Sequence, residues 1–138
     1  MSAPDFLDTN ILVYAYDASA PAKRQIAQNL LRRALAGEMA ISTQVLAEFA
    51  TTLLHKLVPA SSPTEVIALL DVFTPIRLIE PDGDIVRRAV EASAAYGLHF
   101  YDGMIVAAAE RAGCGKIWSE DLSAGQKYFG VEVQNPFK

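Results

Sequence analysis

The stretch Met39-Ala40-Ile41-Ser42-Thr43-Gln44-Val45-Leu46-Ala47-Glu48-Phe49 changes its hydrophobic period part-way along. Met39 to Ile41 is a short apolar run of strand length. From Val45 the apolar positions Val45, Phe49, Leu53 and Leu57 recur every four residues, the spacing of one helix face. Ser42 stands between the two as an N-cap, because its hydroxyl can satisfy backbone N–H groups that a first helical turn leaves unpaired. Pro59 closes the helix. A strand that passes into a helix through a capping serine is half of a βαβ unit, and it sets the reading of the residues on either side.

Upstream, Asp5 to Leu7 is a first strand, followed by a short helix through Leu12 and Tyr16. Pro21 then opens a helix that runs to Ala36 and stops at Gly37, with proline early and glycine late. Downstream, Ser62-Pro63-Thr64-Glu65 has the capping-box pattern and starts a helix reaching Phe73. Ile76 to Ile79 is a third strand. Ile85, Val86, Ala89, Val90 and Ala92 mark an amphipathic helix from Asp84 to Tyr96, closed by Gly97. A strongly apolar helix spans Tyr101 to Ala112 and stops at Gly113. Lys116 to Trp118 is a fourth strand and Val131 to Val133 a fifth. Short apolar runs alternating with helical stretches predict an α/β fold with a central parallel sheet of four to five strands and crossover helices. With no repeat, low-complexity run or linker, residues 1–138 read as a single domain.

Composition excludes several classes. At 51% hydrophobic and 20% charged, with apolar residues along its whole length, the chain is not disordered. Its longest uncharged apolar stretch, around Met104 to Ala109, is far below the ~18 residues of a membrane span. One cysteine, Cys114, rules out an internal disulfide, and two histidines leave no zinc constellation. The first residues show neither a basic start nor an apolar signal core, so the cytoplasm is the expected compartment. A net charge of −4 argues against gripping nucleic acid by bulk electrostatics. The pairs Lys23-Arg24, Arg32-Arg33 and Arg87-Arg88 are either local phosphate contacts or solvated helix faces.

In open α/β sheets ligands bind beyond the carboxyl ends of the strands. Asp8 directly follows strand one, Ser42 follows strand two and leads to Glu48, and Ser119, Glu120 and Asp121 follow strand four. Each has a structural explanation as well: Asp8 and Asp102 fit as helix caps, Asp121 as a turn residue, and Ser119 as the cap of a short helix. Asp102 shares a stripe with Ile105, Val106 and Ala109, which directs it toward the core, where an unpaired carboxylate is costly. Glu48 lies on the border of its helix's apolar stripe, deeper than a cap would be. Carboxylates that converge without basic neighbours repel, and a divalent cation removes the conflict. Oxygen-only donors suit Mg²⁺ or Mn²⁺, and two such ions against four carboxylates leave a neutral site that a phosphodiester can approach.

At these residues the chain resembles the PIN-domain ribonucleases, in particular VapC-type toxins of bacterial toxin–antitoxin pairs. Phe6-Leu7-Asp8-Thr9-Asn10-Ile11-Leu12-Val13-Tyr14-Ala15 is similar to the family's opening strand and first acid. Ile41-Ser42-Thr43-Gln44-Val45-Leu46-Ala47-Glu48-Phe49 carries the second. Phe100-Tyr101-Asp102-Gly103-Met104-Ile105-Val106-Ala107-Ala108-Ala109 and Trp118-Ser119-Glu120-Asp121-Leu122 match the third and fourth. The resemblance implies a three-layer α/β/α sandwich and endonucleolytic RNA cleavage dependent on Mg²⁺ or Mn²⁺. It also implies a homodimer and inhibition by a cognate antitoxin protein. By motif position Asp8, Glu48, Asp102 and Asp121 form its acidic quartet, catalytic and metal-binding, with Asn10 and Ser119 in support. Glu120 competes with Asp121 for the fourth place.

Three alternatives stand beside this. A haloacid-dehalogenase-like phosphatase would use Asp8 as nucleophile, but it places a second aspartate where Asn10 stands. A receiver-like domain wants a lysine at the end of a late strand, and Lys116 begins one. A PIN fold without activity, serving as a binding module, would not need all four acids. A further expectation concerns Leu53, Leu54, Leu57, Val58, Ile67, Leu69, Leu70 and Phe73. They give their two helices more apolar width than one core contact requires, and so a groove for an amphipathic partner, or else core or a dimer interface.

Overall fold

A computed structural model describes residues 3–138. Strand β1 (Asp5–Leu7) leads through Asp8 into helix α1 (Thr9–Tyr14), and helix α2 (Pro21–Arg33) follows with proline in its first turn. Regular α-geometry ends at Arg33 rather than Ala36. The chain widens there into a π-type turn over Ala34–Glu38, with Gly37 at φ 90°, before strand β2 (Met39–Ser42). Ser42 caps helix α3 (Thr43–His55), its Oγ accepting from the Val45 N–H at 3.4 Å. Helix α4 (Pro63–Val72) starts with the complete Ser62/Glu65 capping box. Strand β3 (Arg77–Ile79), helix α5 (Gly83–Tyr96), helix α6 (Phe100–Arg111) and strand β4 (Lys116–Trp118) come next. Strands β5 (Lys127–Tyr128) and β6 (Val131–Gln134) complete the order.

The six strands form one sheet in the order β3-β2-β1-β4-β6-β5. The first five of these are mutually parallel, and β5 pairs antiparallel with β6. Helices cover both faces of the sheet, an α/β/α sandwich, which is why β2 is buried along its whole length. Phe6, Leu7, Ile41, Ile117 and Val133 supply the sheet's share of the core, against Ile11, Phe49, Val106 and Ala109 from the helices.

β5 exceeds the expected four to five strands and breaks the all-parallel expectation. Its turn explains the difference. Phe129 and Gly130 join β5 to β6 as a two-residue loop with φ of 49° and 81°, both in the left-handed region. Such hairpin turns are recognised in sequence by Asn-Gly or Asp-Gly, and phenylalanine is an unusual occupant. Here the ring lies under the Arg88 guanidinium at 3.5 Å and the Phe129 N–H donates to the Tyr96 hydroxyl at 3.0 Å. Tertiary contact thus holds a backbone conformation that the residue itself disfavours.

The expected groove is partly core. Leu53 and Phe73 are buried, Leu54, Leu57, Leu69 and Leu70 are half-buried, and Val58 and Ile67 stand 96% and 59% exposed. A cleft of about 410 Å³ between α3 and α4 is lined by Leu53, Leu57, Ala68 and Leu69. No described helix is long and apolar enough to cross a membrane.

Gly103 sets how closely α5 and α6 pack. A Cβ at this position would stand 2.7 Å from the Ala89 carbonyl oxygen and 3.3 Å from its Cα, and both are backbone atoms that cannot swing aside. Gly103→Ala is therefore expected to lower stability by about 1–3 kcal/mol, the usual cost of overpacking, although alanine is the better helix former. Urea unfolding of the two proteins measures it, and an unchanged midpoint would show that the helices separate at no cost.

Candidate active site

The sheet's connections run one way from β1 through β2 to β3 and the other way through β4 and β6, so the chain reverses direction between β1 and β4. A crevice opens beyond the carboxyl ends of strands at such a reversal. Leu7 lies opposite Trp118 in register, and the next residues on the two strands, Asp8 and Ser119, face each other across that crevice. The Ser119 hydroxyl donates to Asp8 Oδ2 at 2.8 Å, and the Thr9 N–H donates to Oδ1 at 2.7 Å. Asp8 is thus both the cap of α1 and the deepest acid of the site, 5% exposed. Ser119 likewise has two roles. Its oxygen accepts from the Asp121 and Leu122 N–H groups at 3.1 and 3.2 Å while its proton goes to Asp8.

Asn10 ties the two sides together. Its Nδ2 donates to Asp121 Oδ2 at 3.1 Å and reaches Ser119 Oγ at 3.4 Å and Asp8 Oδ2 at 3.5 Å, while its Oδ1 accepts from the Glu120 N–H at 3.1 Å. The backbone of the β4–β5 loop is thereby fixed so that neighbouring acids part ways. Asp121 joins Asp8. Glu120 turns aside to accept from the Tyr14 hydroxyl at 2.9 Å and from Lys23 Nζ at 2.7 Å. Burial pushes the Glu120 carboxyl up, but these two partners outweigh it and hold it below its ordinary range. An ionised acid already paired with a lysine has little left for a ligand, so the geometry separates two residues that the sequence left in competition.

Glu48 reaches the cluster from α3. Its Oε1 accepts from Thr9 Oγ1 at 3.3 Å and from Gln44 Nε2 at 3.2 Å. Asp102 comes from the first turn of α6, whose cap is His99 rather than Asp102 itself. The stripe that was expected to aim Asp102 at the core contains buried Ile105, Val106 and Ala109, whereas Asp102 is half-buried at the rim. The reason is its place in the helix: it lies before the point where α6 enters the molecule, so its carboxylate stays at the sheet edge.

The carboxyls of Asp8, Glu48 and Asp102 are held above their ordinary range. Burial is the largest cause at Asp8, which rises to about 6 despite the opposing Ser119 and Thr9 hydrogen bonds, with Asp121 and Glu48 adding repulsion. Burial raises Glu48, with Asp102 adding to it, against the hydrogen bonds from Thr9 and Gln44 and the charge of Lys56. Burial and Asp121 raise Asp102, against His99. Each acid feels the negative charge of at least one other, so the four form one electrostatic unit. Among the described residues none of the four has a Lys or Arg ion pair; the bonds go elsewhere. Lys23, Arg33 and Arg88, three of the residues considered for phosphate contact, are engaged with Glu120, with Asp5 and Glu38, and with Glu91 and Glu110.

The donor chemistry suits a hard divalent cation: oxygen only, excess negative charge and, among the described residues, no Lys or Arg ion pair to the four acids. The acids do not form a ready-made cage, since no three His, Cys, Asp or Glu side chains among the described residues converge closely enough to hold an ion. Asp8 lies buried behind the others, and Glu48 and Asp121 stand at the surface. A cavity of about 490 Å³ opens beside them between α1 and α3, lined by Asn10, Tyr14, Glu48, Thr52, Lys56 and Asp121 among others. The sequence reading missed Thr9, Gln44 and Lys56. Gln44 and Glu48 stand four apart on one helix face, a pairing visible in sequence, but the contact of Gln44 with α6 is not.

A family model described as PIN domain matches residues 6–129. No curated protein matches the sequence. Among solved structures, a toxin–antitoxin complex from Klebsiella pneumoniae superposes with a TM-score of 0.68 at 22% identity, over 96% of this chain and 97% of that one. VapC20 of Mycobacterium tuberculosis, a sarcin–ricin loop cleaving toxin, gives 0.67 at 18% identity, over 85% and 89%. VapBC2 from Rickettsia felis, bound to a DNA fragment from its promoter, gives 0.65 at 20% identity, over 95% and 97%. At these identities the likeness is one of fold.

The raised Asp8 carboxyl fixes the sign of a pH effect in metal-free protein. A group that holds its proton more tightly when folded adds stability that is complete below its unfolded value, near 3.8, and is lost as pH rises through about 6. Glu48 and Asp102 act in the same direction. Stability in EDTA is expected to fall between pH 4.5 and 7.5, by about 2 kcal/mol from Asp8. Asp8→Asn should flatten that slope. Urea midpoints across the range decide it, and a wild type no less stable at pH 7.5 than at 4.5 would contradict the buried-charge account.

Proposed function

Because the chain belongs to the PIN-domain family, we propose that it is a metal-dependent endoribonuclease, the toxin of a toxin–antitoxin pair, with Asp8, Glu48, Asp102 and Asp121 as its catalytic carboxylates. The observation that carries this reading is the shared charge of four acids from four separate chain segments at one sheet edge, without a basic partner. Capping accounts for Asp8 alone and not for its gathering with three more acids, which mutual repulsion, and at Asp8 burial, work against. A cation site gives it a purpose.

The four carboxylates would hold Mg²⁺ or Mn²⁺. The bound ion supplies Lewis acidity, which lowers the pKa of a water and offsets charge on the departing oxygen of a phosphodiester. The rest falls to the chain's own side chains. Ser119 and the Thr9 N–H keep Asp8 in one rotamer and favour its ionised form. Asn10 holds Asp121 toward Asp8. The cavity between α1 and α3 has room for one nucleotide beside the acids, and Lys56 on its wall offers a charge to a phosphate. A net charge of −4 makes such local contacts necessary.

The partners proposed are RNA as substrate, a cognate antitoxin and a second copy of the chain. Support for the antitoxin comes from neighbours that are toxin–antitoxin complexes and from exposed apolar residues on and between α3 and α4, Ile67 on α4 and Val58 in the connecting loop. An amphipathic helix laid there would have the acids within reach of a basic side chain. One domain and a cytoplasmic location complete the proposal. The phosphatase alternative loses its ground with the family membership, and Lys116 opens β4 at the far end of the sheet from Asp8, where no receiver-like role is open to it.

Asp8→Asn and Asp102→Asn keep side-chain volume and remove one ligand charge. Each is expected to remove ~3–4 kcal/mol of transition-state stabilisation, a loss of roughly 100–1000-fold in RNA cleavage, while the protein stays folded. EDTA should abolish wild-type cleavage. For a dissociation constant near ~1 mM, ~10 mM Mn²⁺ should stabilise the wild type by about 1.4 kcal/mol, or a melting shift of about 5 °C. Cleavage by the folded variants, or in EDTA, would sink the catalytic assignment, and an inert but folded wild type would make the chain a binding module.

A further inference from the structure

Gln44 links the helices of Glu48 and Asp102 by hydrogen bonds at the site. Its Nε2 donates to Glu48 Oε1 at 3.2 Å and to the Tyr101 carbonyl oxygen at 3.0 Å. One amide nitrogen therefore spans from α3 to the first turn of α6, at the residue before Asp102. Its Oε1 is buried and, among the described residues, is the one buried side-chain nitrogen or oxygen left without a hydrogen-bond partner.

The orientation has no better alternative. Turning the amide over would set its carbonyl oxygen against the Glu48 carboxylate and the Tyr101 carbonyl, both acceptors, and would forfeit two hydrogen bonds. A buried acceptor with no donor is destabilising, and a methionine of similar length would fill the same space without it. What the amide provides is the bridge. Glu48 and Asp102 repel each other, and the bridge holds their helices at a fixed spacing against that repulsion. It also commits Glu48 Oε1, which Thr9 shares at 3.3 Å, and among the described residues Oε2 has no such donor.

We propose that Gln44 is a positioning residue that sets the spacing of Glu48 and Asp102, through the Nε2 bridge from α3 to α6, for a divalent cation. The inference rests on the proposed role of those two acids as ligands. Partners that orient metal ligands typically contribute 10–100-fold to affinity or activity.

The test is a thermal-melting titration with Mn²⁺, without RNA, on wild type and Gln44→Met. Metal-free Gln44→Met trades the orphaned acceptor against the two lost Nε2 hydrogen bonds, so each protein's own metal-free melting temperature is the baseline of its titration. The half-stabilising Mn²⁺ concentration of Gln44→Met should rise about tenfold or more, and kcat on RNA should recover as Mn²⁺ is raised. Gln44→Ala carries the same expected loss of Mn²⁺ affinity if methionine does not pack. A variant that keeps the wild-type half-stabilising concentration overturns the role of Gln44 and leaves the metal site standing. A wild type that Mn²⁺ does not stabilise overturns the metal site itself, and Gln44 with it.

Discussion

The 2.8 Å hydrogen bond from Ser119 to Asp8 joins the two halves of the sheet at its functional edge. It exists because β1 and β4 are parallel neighbours in a register that puts Leu7 opposite Trp118. That pairing follows in turn from a chain that builds outward from β1 in both directions. Once Asp8 and Ser119 are adjacent, Asn10 has partners on both strands, and the loop after β4 is fixed by side chains rather than by regular structure. Asp121 and Glu120 then diverge, one into the acidic group and one into a lysine–tyrosine pair. A one-residue slip between β1 and β4 would undo all of these contacts together.

Against this ordered scaffold stands a local conflict. Packing and capping elsewhere agree with the fold: Ser42, Ser62 and Asp82 cap their helices, and the Arg88–Glu110 pair ties α5 to α6. At the edge, burial and mutual repulsion both oppose the ionised acids, and Gln44 keeps an unmatched acceptor. Violations of local rules that gather at one place are characteristic of a site kept for function at the expense of stability. The conflict is borne by rigid elements. Asp8 follows a buried strand, Glu48 and Asp102 sit on helices, and Gly103 lets α6 seat closely against α5 just behind Asp102.

Much of this was legible in the sequence because strand ends and helix caps are local features. Asp8, Ser42 and Ser119 announce themselves as the first polar residues after apolar runs, and the capping box at Ser62 needs only four residues. What stayed hidden depends on contacts distant in sequence. Gln44 meets Tyr101 across 57 positions and Lys23 meets Glu120 across 97, and no period or propensity records either. The β5–β6 turn was hidden for another reason: Phe129 adopts a left-handed backbone that only Arg88 and Tyr96, brought by the fold, make tenable. The stripe through Asp102 gave the right helix face and the wrong depth, because a periodic pattern does not mark where a helix enters the core.

The central claim is that the buried charge conflict at Asp8 and its neighbours is what a divalent cation relieves. Calorimetric titration of Mn²⁺ into the protein, in two buffers of different ionisation enthalpy, counts the protons released on binding. Asp8 rises to about 6, so Mn²⁺ is expected to displace a substantial fraction of a proton at pH 6 and almost none at pH 8, and Asp8→Asn should remove that difference. Mn²⁺ binding with no proton release at pH 6, or no binding at either pH, would contradict the account.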